Sequence, residues 1–197
     1  MCKKEGMIDI KNKKCKTHLC DIQANRKYRG YHRDVFYYTF PDEKLTRNYK
    51  TKENMIVNHI KEKFPNYDWV RDRKISDGCS LKRPDLYCDF GNHIIVIEVD
   101  ENAHNGYNCE EKRMFTIIQD FGMRPTIFIR INPDKYTDEK TNKVVQSPFV
   151  IKNDNGKLEI KNKKELNRRL DLLCDMIDRY SEEKEYKIFN LEELYFC

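Results

Sequence analysis

The chain lacks the parts from which several large function classes are built. Its 197 residues hold only seven glycines, and none of them form the Gly-rich loop that cradles phosphates in nucleotide-binding proteins. There is no C-x₂-C pair and no serine nucleophile elbow, so neither a dithiol redox centre nor an α/β-hydrolase triad is expected. No apolar run is long enough to span a bilayer, and the N-terminal MCKKEGMIDIKNKKC has no apolar h-region of a secretory signal. An intracellular protein is therefore expected, in cytoplasm or nucleus, with no membrane partner. Alanine occurs twice, at Ala24 and Ala103, while Lys, Asn and Ile abound; this fits an AT-rich coding sequence and is silent on function.

What is present is a wet, charged chain with enough apolar residues for one core. Charged residues make up 36%, apolar ones 39%, and aromatics 12%; a chain of this length buries one sizeable core and leaves room for a small appendage. Eight cysteines without an export signal are reduced thiols or metal ligands rather than a disulfide framework. The formal charge of +5 is unevenly spread. Residues 1–33 carry ten Lys/Arg against three Asp/Glu, a net of +7, whereas the remainder has 28 basic and 30 acidic residues, a net of −2. Such a segment is either a solvated basic tail or an arm that contacts nucleic-acid phosphates, since basic clusters gain affinity by releasing counterions.

Periodicity divides the rest. Residues 35–40, VFYYTF, read as a short strand or docking segment ended by Pro41. Residues 51–64 read as a helix, with Ile56, Ile60 and Phe64 spaced by four and Met55 and Val57 widening the stripe. Strands are expected at 69–75, 86–90 and 93–100, with turns at Asp77-Gly78 and Gly91-Asn92. A helix over 110–120 has Met114, Phe115, Ile117, Ile118 and Phe121 inward and Gly122 as its stop, before a strand over 126–131. Residues 134–148 read as a polar excursion, 149–160 as a hairpin around Asp154-Asn155-Gly156, and 163–180 as a helix with Leu166, Leu170, Leu173, Cys174 and Ile177 on one face. The order helix, strand, strand, strand, helix, strand predicts an α/β (α+β) fold with a mixed sheet flanked by helices.

The strand Ile94-Ile95-Val96-Ile97 ends in Glu98-Val99-Asp100-Glu101, and Asp85 opens the strand before it. Side chains alternate along a strand, so Glu98 and Asp100 share a face while Val99 turns to the other core. The tight turn at Gly91-Asn92 makes the two strands antiparallel, bringing Asp85 beside Glu98. Two carboxylates so close repel unless a cation lies between them, and hard oxygen ligands with room for water suit Mg²⁺ or Mn²⁺. The bland counterpart is an acidic, solvated strand end.

The sequence Pro84-Asp85, then Glu98-Val99-Asp100, preceded by a helix carrying Glu53, resembles the PD-(D/E)xK nuclease superfamily. EVDENAH at 98–104, CEEKR at 109–113 and IFIRIN at 127–132 are similar to its Vsr-like (very short patch repair-like) branch. The resemblance spans roughly 50–136 and extends to proteins of large eukaryotic DNA viruses, which adds a virus-infected host cell to the expected compartments. It implies a restriction-endonuclease-like fold over 34–197, with a hairpin and helix at 149–185 beyond the core. It implies that Asp85 and Glu98 hold the metal, aided by the backbone carbonyl of Val99, with Glu53 reaching the site directly or through water. The superfamily lysine falls at position 100, here Asp100; the Vsr-like branch also lacks it, and Asp100 and His104 are the substitutes for proton transfer. His104, with an ordinary pKa near ~6.5, suits a general base or acid. Lys82, Arg83, Arg113, Arg124 and Arg130 are candidate DNA contacts, each with a surface or ion-pair role as its alternative. Arg130 stands out, being a charge inside an apolar strand.

In the basic segment, Cys15 and Cys20 are spaced C-x₄-C, with His18 between them, Cys2 before and His32 after. Structural zinc takes four Cys/His ligands at such spacings, and the segment resembles a shortened viral or algal cysteine-rich repeat. Cys2, Cys15, Cys20 and His32 are the expected Zn²⁺ set, against reduced cysteines in a tail. The functional expectation is a metal-dependent DNA endonuclease, monomer or homodimer undecided. The alternatives are a non-catalytic zinc-dependent nucleic-acid-binding protein on a decayed nuclease fold, and a host-factor interaction protein using the acidic tip as its edge.

Overall fold

The computed structural model describes residues 14–18, 26–41, 43, 51–76, 78–101, 107–151, 158–182 and 187–196. They fall into two compact units, one within Met1–Tyr49 and Ile151–Lys157, the other within Lys50–Val150 and Leu158–Cys197.

In the first unit a 3₁₀ turn at Arg26–Tyr28 precedes helix α1, Arg33–Thr39. The expected strand at 35–40 is therefore a helix. Its aromatics cluster through a helical spacing rather than an alternating one: Phe36 lies 5.6 Å from Tyr28 and 5.1 Å from Phe40 between ring centroids. Phe36 and Phe40 are four apart and so share a helix face. The Arg29 guanidinium lies over both rings.

The second unit begins with α2, Thr51–Lys63, and strands β1, Val70–Arg71; β2, Leu86–Asp89; and β3, Ile94–Val99. Helix α3, Tyr107–Asp120, leads to β4, Thr126–Ile131. Short strands β5, Tyr136–Asp138, and β6, Lys143–Val145, pair antiparallel, giving a hairpin where only a polar excursion was expected. Strands β7, Phe149–Ile151, and β8, Leu158–Ile160, form a second two-stranded sheet. Helix α4, Lys163–Glu182, and strand β9, Phe189–Leu194, complete the unit.

The main sheet runs β1-β2-β3-β4-β9. Its first three strands form an antiparallel meander, and β4 and β9 then add parallel to β3. This is the mixed α/β architecture expected, with two differences. The expected strand at 69–75 is only two residues long. The edge strand β9 was not anticipated, because FNLEEL mixes acids and apolar residues without a clean alternation.

The two faces bury separate cores. Ile95, Ile97 and Val99 of β3 and Ile127, Ile129 and Ile131 of β4 meet α2 (Ile56, Val57, Ile60) and α4 (Leu166, Leu170, Leu173, Ile177). The alternate residues Ile94, Val96 and Phe128 meet α3 through Met114, Ile117, Ile118 and Phe121. Both faces being covered is why β3 reads as a continuous aliphatic run. Phe115, expected inward, is 53% exposed; one residue past Met114 it turns 100° off the buried stripe. Gly122 ends α3 with φ +72°, a conformation glycine takes without steric cost.

Helix α4 is capped by Asn162, whose Oδ1 accepts the Glu165 N–H at 3.0 Å. Glu165 then accepts from Arg168 and Arg169, and the Arg168 hydrogen bond is the chief cause of its carboxyl being held below the ordinary value. A carboxyl depressed in the folded state stabilises above its unfolded pKa, and that contribution is lost as pH falls through the folded value. Glu165→Gln is therefore expected to be less stable than the parent at pH 6, with the difference shrinking at pH 3. Urea unfolding at both pH values checks this, and an equal difference at both would remove Glu165 as a source of acid sensitivity.

Candidate metal centre

Leu86 pairs with Ile97 across the β2–β3 ladder, so the next residues outward, Asp85 and Glu98, meet at the same end of the two strands. Period-two alternation puts Asp85 on the face of Tyr87, and Glu98 on that of Ile94 and Val96, which is the α3 face. Asp85 Oδ2 accepts the Val99 N–H at 2.9 Å, tying the first acid to the end of the strand that carries the second.

Glu98 is 5% exposed. Arg113, from α3, donates from Nη1 to its Oε1 at 2.5 Å and from Nη2 to the Arg83 carbonyl at 3.1 Å. Burial pushes the Glu98 carboxyl up, to about 8; Arg113 opposes the rise, and Asp85 and Asp100 add to it. Burial acts to lower the Arg113 guanidinium, and Glu98, with Glu110 and Asp85, more than offsets this. Asp85 and Asp100 are like charges beside Glu98, and such repulsion is what a further cation relieves.

Asp100 follows on the same face, its Oδ2 accepting from Arg130 Nε at 2.8 Å. Arg130 is 6% exposed and also donates from Nη1 to Glu193 of β9 at 2.7 Å. Its Nη2 is buried without a hydrogen-bond partner among the described residues, 4.0 Å from Glu110 Oε2. That network is why a charge is tolerated within IFIRI. Glu110 lies in the CEEKR stretch but had no assigned role, and Glu193 could have been found only by recognising β9 and its register with Arg130.

Glu53, 4% exposed, lies on α2, the helix over the sheet face opposite α3, with Arg71 Nη2 3.5 Å from its carboxylate. Its neighbour Lys52 bridges Asp134 at 2.5 Å and Glu101 at 3.8 Å, so the start of α2 lies at the acid-bearing end of the sheet. The Val99 carbonyl accepts the Glu101 N–H at 3.2 Å.

The expected DNA contacts do not form one set. Lys82 and Arg83 are exposed on the segment leading to Asp85. Arg113 and Arg130 are engaged by the acids. Arg124 lies at the opposite end of the sheet, where Asp89 accepts from it at 2.8 and 2.6 Å and the Gly91 carbonyl at 3.1 Å. His104 lies outside the described residues, as do Cys2 and Cys20. In the first unit the buried Cys15 Sγ accepts the His32 N–H at 3.1 Å, and His18 is exposed.

Among the described residues no group of three or more His, Cys, Asp and Glu is arranged to hold a metal ion. The chemistry of the donors nevertheless fits Mg²⁺ or Mn²⁺, which are commonly held by one or two carboxylates while water and substrate phosphate complete the shell. Among the described residues, no helix is long and apolar enough to cross a membrane. Comparison with protein-family models, with curated proteins and with solved structures finds no match to this chain.

Proposed function

We propose that the chain is a metal-dependent DNA endonuclease of the restriction-endonuclease-like kind. The observation that carries this reading is the meeting of Asp85 and Glu98 on one face of adjoining strand ends, one bonded to the Val99 amide and the other buried. The order α2, β1, β2, β3, α3, β4, a meander followed by a parallel strand, supports the same reading, because the resemblance implies that order. Asp85 and Glu98 would hold Mg²⁺ or Mn²⁺, with the Val99 carbonyl as a further ligand. The ion's contribution is to acidify a bound water and screen the phosphoryl oxygens. Asp100, held by Arg130, and His104 are the groups for proton transfer; Glu53 supports the site from α2. Lys82 and Arg83 grip the DNA backbone near the acids, and the basic residues of 1–33 add phosphate contacts.

The experiment is nicking of a supercoiled plasmid with Mg²⁺, with Mn²⁺ and with EDTA. Cleavage that needs the divalent ion is expected; DNA binding without cleavage under every condition favours the non-catalytic reading instead. That second reading has its own support, because Arg113 and Arg130 already neutralise part of the acid cluster.

Zn²⁺ held by Cys2, Cys15, Cys20 and His32 is proposed for the N-terminal segment. The amide-to-sulfur bond from His32 to Cys15 supports it, being the contact that steadies a thiolate ligand. Metal analysis of the full chain is expected to find zinc in the parent and none in Cys15→Ser; a zinc-free parent protein rejects the proposal.

A further inference from the structure

Arg113 donates to both acid-bearing segments, to the Glu98 carboxylate and to the Arg83 carbonyl. Arg83 stands two residues before Asp85. The Nη1 and Nη2 groups of one guanidinium diverge from a planar, rigid carbon, so holding one partner with each fixes the spacing between those partners. The second tie, from the Val99 N–H to Asp85 Oδ2 at 2.9 Å, fixes the first acid against the strand of the second. Between them these contacts leave neither strand tip free to drift from the other. The cost of the arrangement is a guanidinium largely taken out of water, 23% exposed at its side chain, beside a carboxylate 7% exposed. An arginine that served only DNA would stand out toward solvent instead.

We infer that Arg113 is a positioning residue: it clamps the β2 and β3 ends so that Asp85 and Glu98 present their oxygens at the separation one divalent cation bridges. This rests on the metal site proposed above. It assigns Arg113 to the affinity of that site rather than to the phosphate contacts expected from the sequence.

Two features of the clamp make it testable apart from activity. It acts through a fork, so a lysine, which is a point charge on a flexible stem, cannot reproduce it. And a clamp predicts that the loss of positioning outweighs the relief of the guanidinium's own repulsion of the ion, so that removing it weakens binding. Groups that orient ligating residues typically cost about 10- to 100-fold in metal affinity when lost.

The measurement is Mn²⁺ binding to the full chain by calorimetry, without DNA, for the parent, Arg113→Gln and Arg113→Lys, each first shown folded by circular dichroism. Arg113→Gln is expected to bind Mn²⁺ about 10- to 100-fold more weakly than the parent, and Arg113→Lys to recover only a minor part of that loss. Unchanged or tighter binding by Arg113→Gln overturns the clamp, as does full recovery by Arg113→Lys, which would leave charge alone as the cause. If Arg113→Gln does not fold, Arg113→Lys decides: parental affinity there overturns the clamp. A parent protein that binds no Mn²⁺ overturns the metal site itself and the clamp with it, so the two failures are distinguishable.

Discussion

Asp85→Asn and Glu98→Gln are each expected to lower plasmid nicking by about 10²- to 10³-fold, the several kcal/mol of charge stabilisation that a bound divalent ion contributes to a phosphoryl transition state. Each change keeps the shape of the side chain and removes the charge that holds the ion. The fold should survive. Asparagine at 85 still offers an oxygen to the Val99 N–H, and glutamine at 98 still offers one to Arg113. Divalent ion should also raise the thermal midpoint of the parent, because a ligand that binds only the folded state stabilises it by mass action, about 2.7 kcal/mol at a hundred times its Kd. Neither variant should show that rise. Cleavage at the parental rate in both variants would mean that phosphodiester chemistry, if present, occurs elsewhere on the chain.

The largest stability effect is expected at Arg169, which no functional argument singled out. It is 1% exposed on α4, and its guanidinium donates to the carbonyls of Asn132 at 3.1 Å, Asp134 at 2.7 Å and Gln146 at 3.3 Å, as well as to Glu165 at 2.8 Å. The rings of Tyr136 and Tyr195 each lie 5.0 Å from it. One side chain thus satisfies backbone groups on both sides of the β5–β6 hairpin. Arg169→Met fills similar space but leaves the buried carbonyls without donors and Glu165 without one of its cations. A loss of about 3–5 kcal/mol is expected, as when one partner of a buried charge network is removed. For a chain of this size that lowers the thermal midpoint by roughly 10 °C. A midpoint within experimental error of the parent's would mean that water replaces Arg169 at every carbonyl.

Much of the fold was legible because its signals are local. The stripe Ile56, Ile60 and Phe64 recurs every four residues, and all three are buried. The turn at Gly91-Asn92 follows from residue type, and Gly91 adopts φ +85°. The run at 94–97 is aliphatic on both faces because both faces are covered. Where the local signal was ambiguous, tertiary packing decided. Residues 35–40 are aromatic and β-branched enough to suggest a strand, yet rings four apart pack together in α1. Phe115 looked like core and is exposed, while β9 carries too many acids to look like a strand and pairs with β4 over six residues.

The candidate site divides in the same way. That Asp85 and Glu98 should adjoin follows from counting outward from a tight turn, which needs nothing but the sequence. The partners of those acids come from far along the chain. Arg113 reaches Glu98 from α3, Glu193 reaches Arg130 across 63 residues, and Arg124, which looked equivalent to either arginine, pairs with Asp89 at the other end of the sheet.

The amino-acid sequence by itself determined which residues carry the acids, which strands present them, and that the two strands run antiparallel, because alternation and turn chemistry act between near neighbours. Only the tertiary structure decided which cation faces which carboxylate, that Glu98 is buried deeply enough for its carboxyl to rise, and that Arg169 holds the far hairpin. Those outcomes depend on helix placement over the sheet and on the register of a late strand, and burial and charge pairing across such distances leave no periodic trace in the chain.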